Sequence, residues 1–198
     1  MKNRNYCKGL LPQDSLEHLE FLTQRARRLN KLASDILLVS NTAKLSSALC
    51  QFSLQDVVES IKTKHDFADK FSYRSKTQKI TLPFEPVEAV LTQLMSNAIK
   101  HNDKGENLNA TINCEEDNGN YTLIVEDNGP GIPKEFHQYV FDAFSTLKPK
   151  DTTEGSGVGL TIVKQIVERF RGSVTIDSDG RLGTRIEVRW PKSLKATH

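Results

Sequence analysis

The chain has 198 residues, 37% of them hydrophobic and 26% charged, with 27 basic and 25 acidic side chains for a formal net charge of +2. This suffices for one packed domain with an extension, and the near-balance of charge excludes a global field that would draw the chain to nucleic acid or to an anionic membrane. The three cysteines, Cys7, Cys50 and Cys114, show no C-x-x-C spacing, which argues against both a disulfide framework and a structural zinc site.

The first predicted element is a helix that starts at the cap signal Pro12-Gln13-Asp14, with Ser15 as the alternative cap, and runs to about Ser40 without internal Gly or Pro. Along it Leu19, Leu22, Ala26, Leu29, Ala33 and Ile36 step by 3, 4, 3, 4, 3, the seam of a helical bundle or coiled coil. At 1.5 Å per residue it spans roughly 39 Å. Such a stripe needs a partner helix. His18, the only histidine on this helix, reads as a surface or bundle-face residue.

Leu54 to Lys62 reads as a second helix, and Phe71 to Arg74 and Lys79 to Pro83 as short strands. A third helix is predicted over Pro86 to Asn102, with proline near its start and no glycine until Gly105. Val87, Leu91, Leu94 and Ala98 fall on one stripe, while Gln93, Asn97, Lys100 and His101 fall on a neighbouring one. One side is core, and amides, a cation and an imidazole converge on the other. An Asn carbonyl oxygen is a suitable hard ligand for Mg²⁺, which keeps several waters and takes few protein ligands.

Asn109 to Cys114 and Tyr121 to Glu126 are predicted as a hairpin across Glu116-Asp117-Asn118-Gly119-Asn120. The second strand runs into Asp127-Asn128-Gly129-Pro130-Gly131-Ile132-Pro133, so Asp127 would stand at a strand end facing a cleft. A carboxylate accepts hydrogen bonds only, so it can select the exocyclic amine of adenine and reject the carbonyl that guanine carries there. An Asp-Asn-Gly-Pro turn also has its own local reasons for those residues.

Further on lies Glu154-Gly155-Ser156-Gly157-Val158-Gly159-Leu160, followed without a break by a helical pattern from Thr161 to Phe170. Three glycines at alternate positions remove each β-carbon that would keep a polyanion off the backbone, and the helix start offers N–H groups and a positive dipole end. The loop fits neither the dinucleotide fingerprint, since position 160 is Leu, nor a P-loop, since Gly159 is followed by Leu160-Thr161. Ser173 to Asp177 and Thr184 to Trp190 complete the predicted strands; Arg185, Glu187 and Arg189 alternate with Ile186, Val188 and Trp190, as in a sheet covered on one face.

Taken together, in this order and spacing, these elements resemble the catalytic ATP-binding domain of sensor histidine kinases, within the GHKL ATPase superfamily. Asn97-Ala98-Ile99-Lys100-His101 resembles that family's N box, Asp127 to Gly131 its first glycine box and Val140-Phe141-Asp142-Ala143-Phe144 its F box. Gly155 to Leu160 is similar to its second glycine box, and Gly183-Thr184 to the short closing one. The resemblance covers roughly positions 52 to 191, with a weaker match upstream, where Leu16 to Ser40 is similar to the second helix of the family's dimerisation hairpin.

The resemblance implies an α+β fold, a two-layer α/β sandwich with helices on one face of a mixed sheet, preceded by the long helix. The expected division is 1–50 for a partial dimerisation segment and 51–198 for the catalytic domain. The implied cofactors are ATP and Mg²⁺. Asn97 would hold the metal and, with Lys100 reaching a phosphate, carry the catalytic role. Asp127 would bond the adenine amine, with Gly129, Gly131 and Ile132 shaping that wall and Thr184 near the base. Gly155, Ser156, Gly157, Val158, Gly159 and Leu160 would wrap the triphosphate. Asp142 to Glu154 would form a mobile lid, to which Phe144 and the cation Lys148 belong. The chain departs from the pattern at two positions: Gln93 stands where many members have a first Asn, and His101 where many have Tyr. An amide replaces an amide and a flat ring a flat ring.

The implied function is transfer of the γ-phosphoryl group of Mg·ATP to a histidine on a helix not present in this chain, for relay to an aspartate of a response regulator. No phosphoacceptor motif surrounds any of the five histidines, so self-labelling is expected to be poor or nil. The expected partners are that regulator and the acceptor helix, with a homodimer in the parent protein. Neither nucleic acid nor a membrane span is expected, since no apolar stretch approaches roughly 20 residues, and a cytoplasmic location follows from the reduced cysteines and the missing signal core. The alternatives are a non-enzymatic ATP-sensing module and an anti-sigma-type Ser/Thr kinase.

Overall fold

The computed structural model describes residues 13–67, 70–143, 145 and 157–193. Helix α1, Gln13–Asn41, leads through a 3₁₀ turn at Thr42–Lys44 to strand β1, Leu49–Ser53. Asp14 and Ser15, expected as caps, lie within the first turn of α1. Ser53 closes β1 and caps helix α2, Leu54–His65: its hydroxyl accepts the Asp56 N–H at 3.3 Å. The helix ends where Asp66 turns left-handed (φ 53°) and the Phe67 N–H returns to the Lys62 carbonyl at 3.0 Å.

After β2, Phe71–Tyr73, strand β3, Lys79–Pro83, runs directly into helix α3, Phe84–Lys100. The helix starts two residues before the expected Pro86. Pro86 falls at the third helical position, where the amide has no intrahelical partner to lose. Strands β4, Ala110–Glu116, and β5, Asn120–Asp127, form the predicted hairpin. Helix α4, Gly159–Arg169, is followed by β6, Ser173–Asp177, and β7, Thr184–Pro191.

The main sheet has the order β2-β4-β5-β7-β6, with β2 parallel to β4 and the other pairs antiparallel. A separate antiparallel pair joins β1 to β3, Leu49 opposite Pro83 and Ser53 opposite Lys79. This is the mixed, two-layer α+β arrangement that the sequence patterns imply. The core lies between the sheet and α2, α3 and α4, and its fully buried side chains include Val58, Val90, Leu91, Met95, Ile112, Val163, Val167 and Val188. The predicted apolar stripe of α3, Val87, Leu91, Leu94 and Ala98, is buried throughout.

The opposite face of the sheet is polar. Arg185 donates from Nε to Glu187 at 2.8 Å and pairs through Nη1 with Glu126 at 3.3 Å, while Arg189 reaches Asp117 at 2.8 Å. Exposed pairs of this kind contribute little because solvent screens them, so the helix-covered face holds the fold. The seam of α1 points outward, with Leu19 47%, Leu22 61%, Leu29 67% and Ile36 54% exposed.

Candidate functional site

Strand β5 delivers Asp127 to the edge of the helix layer, opposite Thr184 of β7. Oδ1 of Asp127 accepts the Gly129 N–H at 2.8 Å, closing the turn that follows the strand. Burial pushes the Asp127 carboxyl above the usual aspartate range, against the opposing pull of the Gly129 and Thr184 backbone N–H groups. An ionised carboxylate offers about four acceptor positions, so two backbone N–H donors leave Asp127 able to take an external donor.

Asn128 has a different task. Its Oδ1 accepts the Asn109 N–H at 2.8 Å and its Nδ2 donates to the Asn107 carbonyl at 3.0 Å, which ties the turn to the start of β4. Gly183 passes so close to the end of β5 that a β-carbon there would stand 2.0 Å from the Asp127 carbonyl oxygen, and its φ is +109°. Thr184 follows it, 8% exposed.

The second half of the site is built by α3 and α4. The polar stripe of α3 emerges as the sequence pattern requires: Gln93 and Asn97 are half-buried, while Lys100 and His101 are exposed at its end. The His101 carbonyl lies 3.8 Å from the β-carbon position of Gly129, so the end of α3 borders the Asp127 turn. Gly159 sits directly on the stripe: a β-carbon there would meet Asn97 Oδ1 at 3.1 Å and Gln93 Oε1 at 3.3 Å.

The glycine loop enters the helix two residues earlier than the sequence pattern suggests, since Gly159 and Leu160 are already helical and the Ile162 N–H bonds the Val158 carbonyl at 3.0 Å. Val158, buried at the cap position, provides no side-chain acceptor, and the first turn carries no acid. Among the described residues no capping side chain takes the initial N–H groups of α4, an arrangement that suits an external anion. Gly157 precedes it with φ +71°. Phe144, Lys148, Gly155 and Ser156, together with most of the expected lid, lie outside the described residues.

Two amide oxygens crowding a glycine form a cradle that any β-carbon would fill, and they are hard donors of the type Mg²⁺ accepts. Among the described residues no group of three or more His, Cys, Asp or Glu could hold a metal by itself. The donor set fits an ion that takes most of its ligands from phosphate and water.

Two further residues, Ser178 and His137, border this site without having been singled out from the sequence as binding residues. Ser178, Ile132 and His137 are joined by hydrogen bonds from Ile132 N–H to Ser178 Oγ and from His137 Nε2 to the Ile132 carbonyl, both 2.8 Å. The turn residues around Ser178 signal a bend, but nothing local signals a contact 46 residues away. An open cleft of about 890 Å³ lies at the far end of β4 and β5, lined by Arg74, Lys79, Asn113, Glu115, Glu116 and Lys192. There Lys192 and Glu116 pair with each other at 2.8 Å, and none of the residues converging on Asp127 and Gly159 belongs to it.

The chain matches the family described as histidine kinase-, DNA gyrase B-, and HSP90-like ATPase over residues 84–194. It is 28% identical to the sensor histidine kinase YvrG of Bacillus subtilis (strain 168) over 189 residues, covering 93% of this chain and 31% of that protein. The chain thus spans about a third of the length of the curated relatives it matches. In fold it is similar to the Acinetobacter baumannii histidine kinase AdeS, with a TM-score of 0.68 at 22% identity over 92% of this chain and 87% of that one. It is also similar to full-length ShkA in complex with AMPPNP, with a TM-score of 0.70 at 17% identity over 94% of this chain and 41% of that one.

Proposed function

Because the chain belongs to the histidine kinase-, DNA gyrase B-, and HSP90-like ATPase family, we propose that it is the catalytic ATP-binding part of a sensor histidine kinase. In this reading residues 1–50 contribute one dimerisation helix and residues 51–198 the catalytic domain. It binds Mg·ATP and transfers the γ-phosphoryl group to a histidine on a helix of the parent kinase or of a second chain. The phosphoryl group then passes to an aspartate of a response regulator. The observation that carries this reading is the seating of Gly159 against Asn97 and Gln93, beside a strand that ends at the half-buried Asp127.

The roles follow from what phosphoryl transfer needs. Negative charge must be held while the terminal phosphoryl group is positioned in line with its acceptor. The N–H groups at the start of α4, with Gly155 to Leu160, wrap the phosphates; Lys100, and Lys148 from the lid, supply positive charge. Asn97 Oδ1, with Gln93 beside it, would hold Mg²⁺. When bound, that ion neutralises phosphate charge and fixes the conformation of the polyphosphate. Asp127 accepts the adenine amine, Gly129, Gly131 and Ile132 form the wall beside it, and His101 and Thr184 border the base. Phe144 counts among the ATP-binding residues in this reading. The attacking imidazole and the group that takes its proton come from the acceptor helix.

The test is incubation with Mg²⁺ and γ-labelled ATP, with and without an added phosphoacceptor helix. The reading expects acid-labile, alkali-stable label on the added helix alone. ATP binding without label on any supplied acceptor would replace it with the ATP-sensing module.

A further inference from the structure

One hydroxyl joins the two loops that flank Asp127. Ser178, 5% exposed, follows β6 and lies in neither glycine turn. Its Oγ accepts the Ile132 N–H at 2.8 Å, accepts the Gly180 N–H at 3.4 Å, and donates to the Gly183 carbonyl at 2.6 Å. A hydroxyl has one proton and two lone pairs, and all three are used. Gly131 makes the approach possible, because a β-carbon there would stand 2.8 Å from Ser178 Oγ.

The same Ile132 peptide is gripped from its other side. His137 Nε2 lies 2.8 Å from the Ile132 carbonyl oxygen, an acceptor only, so this nitrogen carries the proton. The Ile132 peptide is thus held at N–H and at C=O by side chains from two different segments, while the Gly183 carbonyl held by Ser178 immediately precedes Thr184, the partner of Asp127.

We propose that Ser178 and His137 are positioning residues for the nucleotide base: together they fix the Gly129–Pro133 wall and the Gly183-Thr184 turn at one separation around Asp127, and so set affinity for the adenosine part of the ligand. This rests on the nucleotide reading above. Among the described residues neither side chain bonds to α3 or α4, which build the phosphate end, so losing either should weaken adenosine recognition and spare polyphosphate binding.

Calorimetric titration of the full chain with Mg·ATP and, separately, with Mg·tripolyphosphate tests it. A lost hydrogen bond of this kind corresponds to a loss of about 3- to 10-fold in affinity, so Ser178→Ala and His137→Phe are each expected to bind ATP that much more weakly while tripolyphosphate affinity stays within about twofold of the parent. His137→Gln, which keeps an N–H donor, should recover most of the ATP affinity. ATP binding equal to the parent in both variants overturns the proposal. So does an equal loss for both ligands, which would mark a general loss of structure. Should Ser178→Ala fail to fold, half-buried His137 decides alone. A parent chain that binds tripolyphosphate but not ATP refutes the clamp, whereas one that binds neither refutes the nucleotide reading itself.

Discussion

The side-chain oxygen of Asn97 stands 3.1 Å from the point where a β-carbon of Gly159 would be, and that of Gln93 3.3 Å from the same point. Gly159→Ala therefore pushes both amides aside. A helical position gains up to about 1 kcal/mol when Gly becomes Ala, so the melting temperature should stay within about 4 °C of the parent. Affinity for Mg·ATP should fall at least about tenfold. Parallel melting curves and calorimetric titrations check this, and unchanged affinity would remove Gly159 from the site.

Asn97→Ala and Leu94→Ala separate chemistry from scaffold on one helix. Asn97 is half-buried on the polar stripe, and its loss should abolish Mg²⁺-dependent nucleotide binding while leaving thermal stability close to the parent. Leu94 is 2% exposed, and its truncation should cost about 2–5 kcal/mol in denaturant unfolding.

Asp127 carries a raised pKa, caused first by burial. Its folded form takes up a proton more readily than the unfolded chain, so this group adds stability as pH falls through its folded pKa and subtracts it at neutral pH. Asp127→Asn, which is uncharged, should therefore melt no lower than the parent at pH 7, with the difference shifting in favour of the parent as pH falls toward about 4. Adenine selectivity should fall in the same variant. A neutral-pH melting temperature well below the parent would contradict the direction of the shift.

Gly183→Ala brings a β-carbon to 2.0 Å from the Asp127 carbonyl, with backbone on both sides of the conflict. No side chain can yield, and the φ of +109° adds strain. The expected loss is at least about 3 kcal/mol, read as a lower midpoint in urea.

The outward seam of α1 exposes Leu22 and Leu29 by 61% and 67%. The chain should self-associate with rising concentration in light scattering, and Leu22→Glu with Leu29→Glu should shift it toward monomer without changing ATP affinity. Concentration-independent mass in the parent would argue against the dimerisation role.

The sequence revealed what is periodic or local. The buried stripe of α3 and the β4–β5 hairpin could be read because each repeats at the spacing of its own secondary structure, and Asp127 because it ends an alternating strand. Strand β1 could not. Leu49–Ser53 is five residues, mostly exposed or half-buried, and its partner β3 begins 26 residues after Ser53, so no nearby pattern marks it. Ser178 and His137 escaped for the same reason. A serine after a strand and a histidine between two motifs are commonplace, and only the folded chain brings them to the same peptide. Asn128 lay inside a motif yet bonds the backbone of Asn107 and Asn109, a structural use that motif matching does not distinguish from ligand binding.

Helix α4 has its first residue at the amide cradle and its last, Arg169, donating from Nη1 to the carbonyl of Thr42, just past the end of α1. Eleven residues at 1.5 Å each make a strut of about 16 Å, clamped along its length by the buried side chains of Ile162, Val163, Ile166 and Val167. The amide cradle and the joint where the long helix hands over to the globular body are thus the two ends of one buried helix.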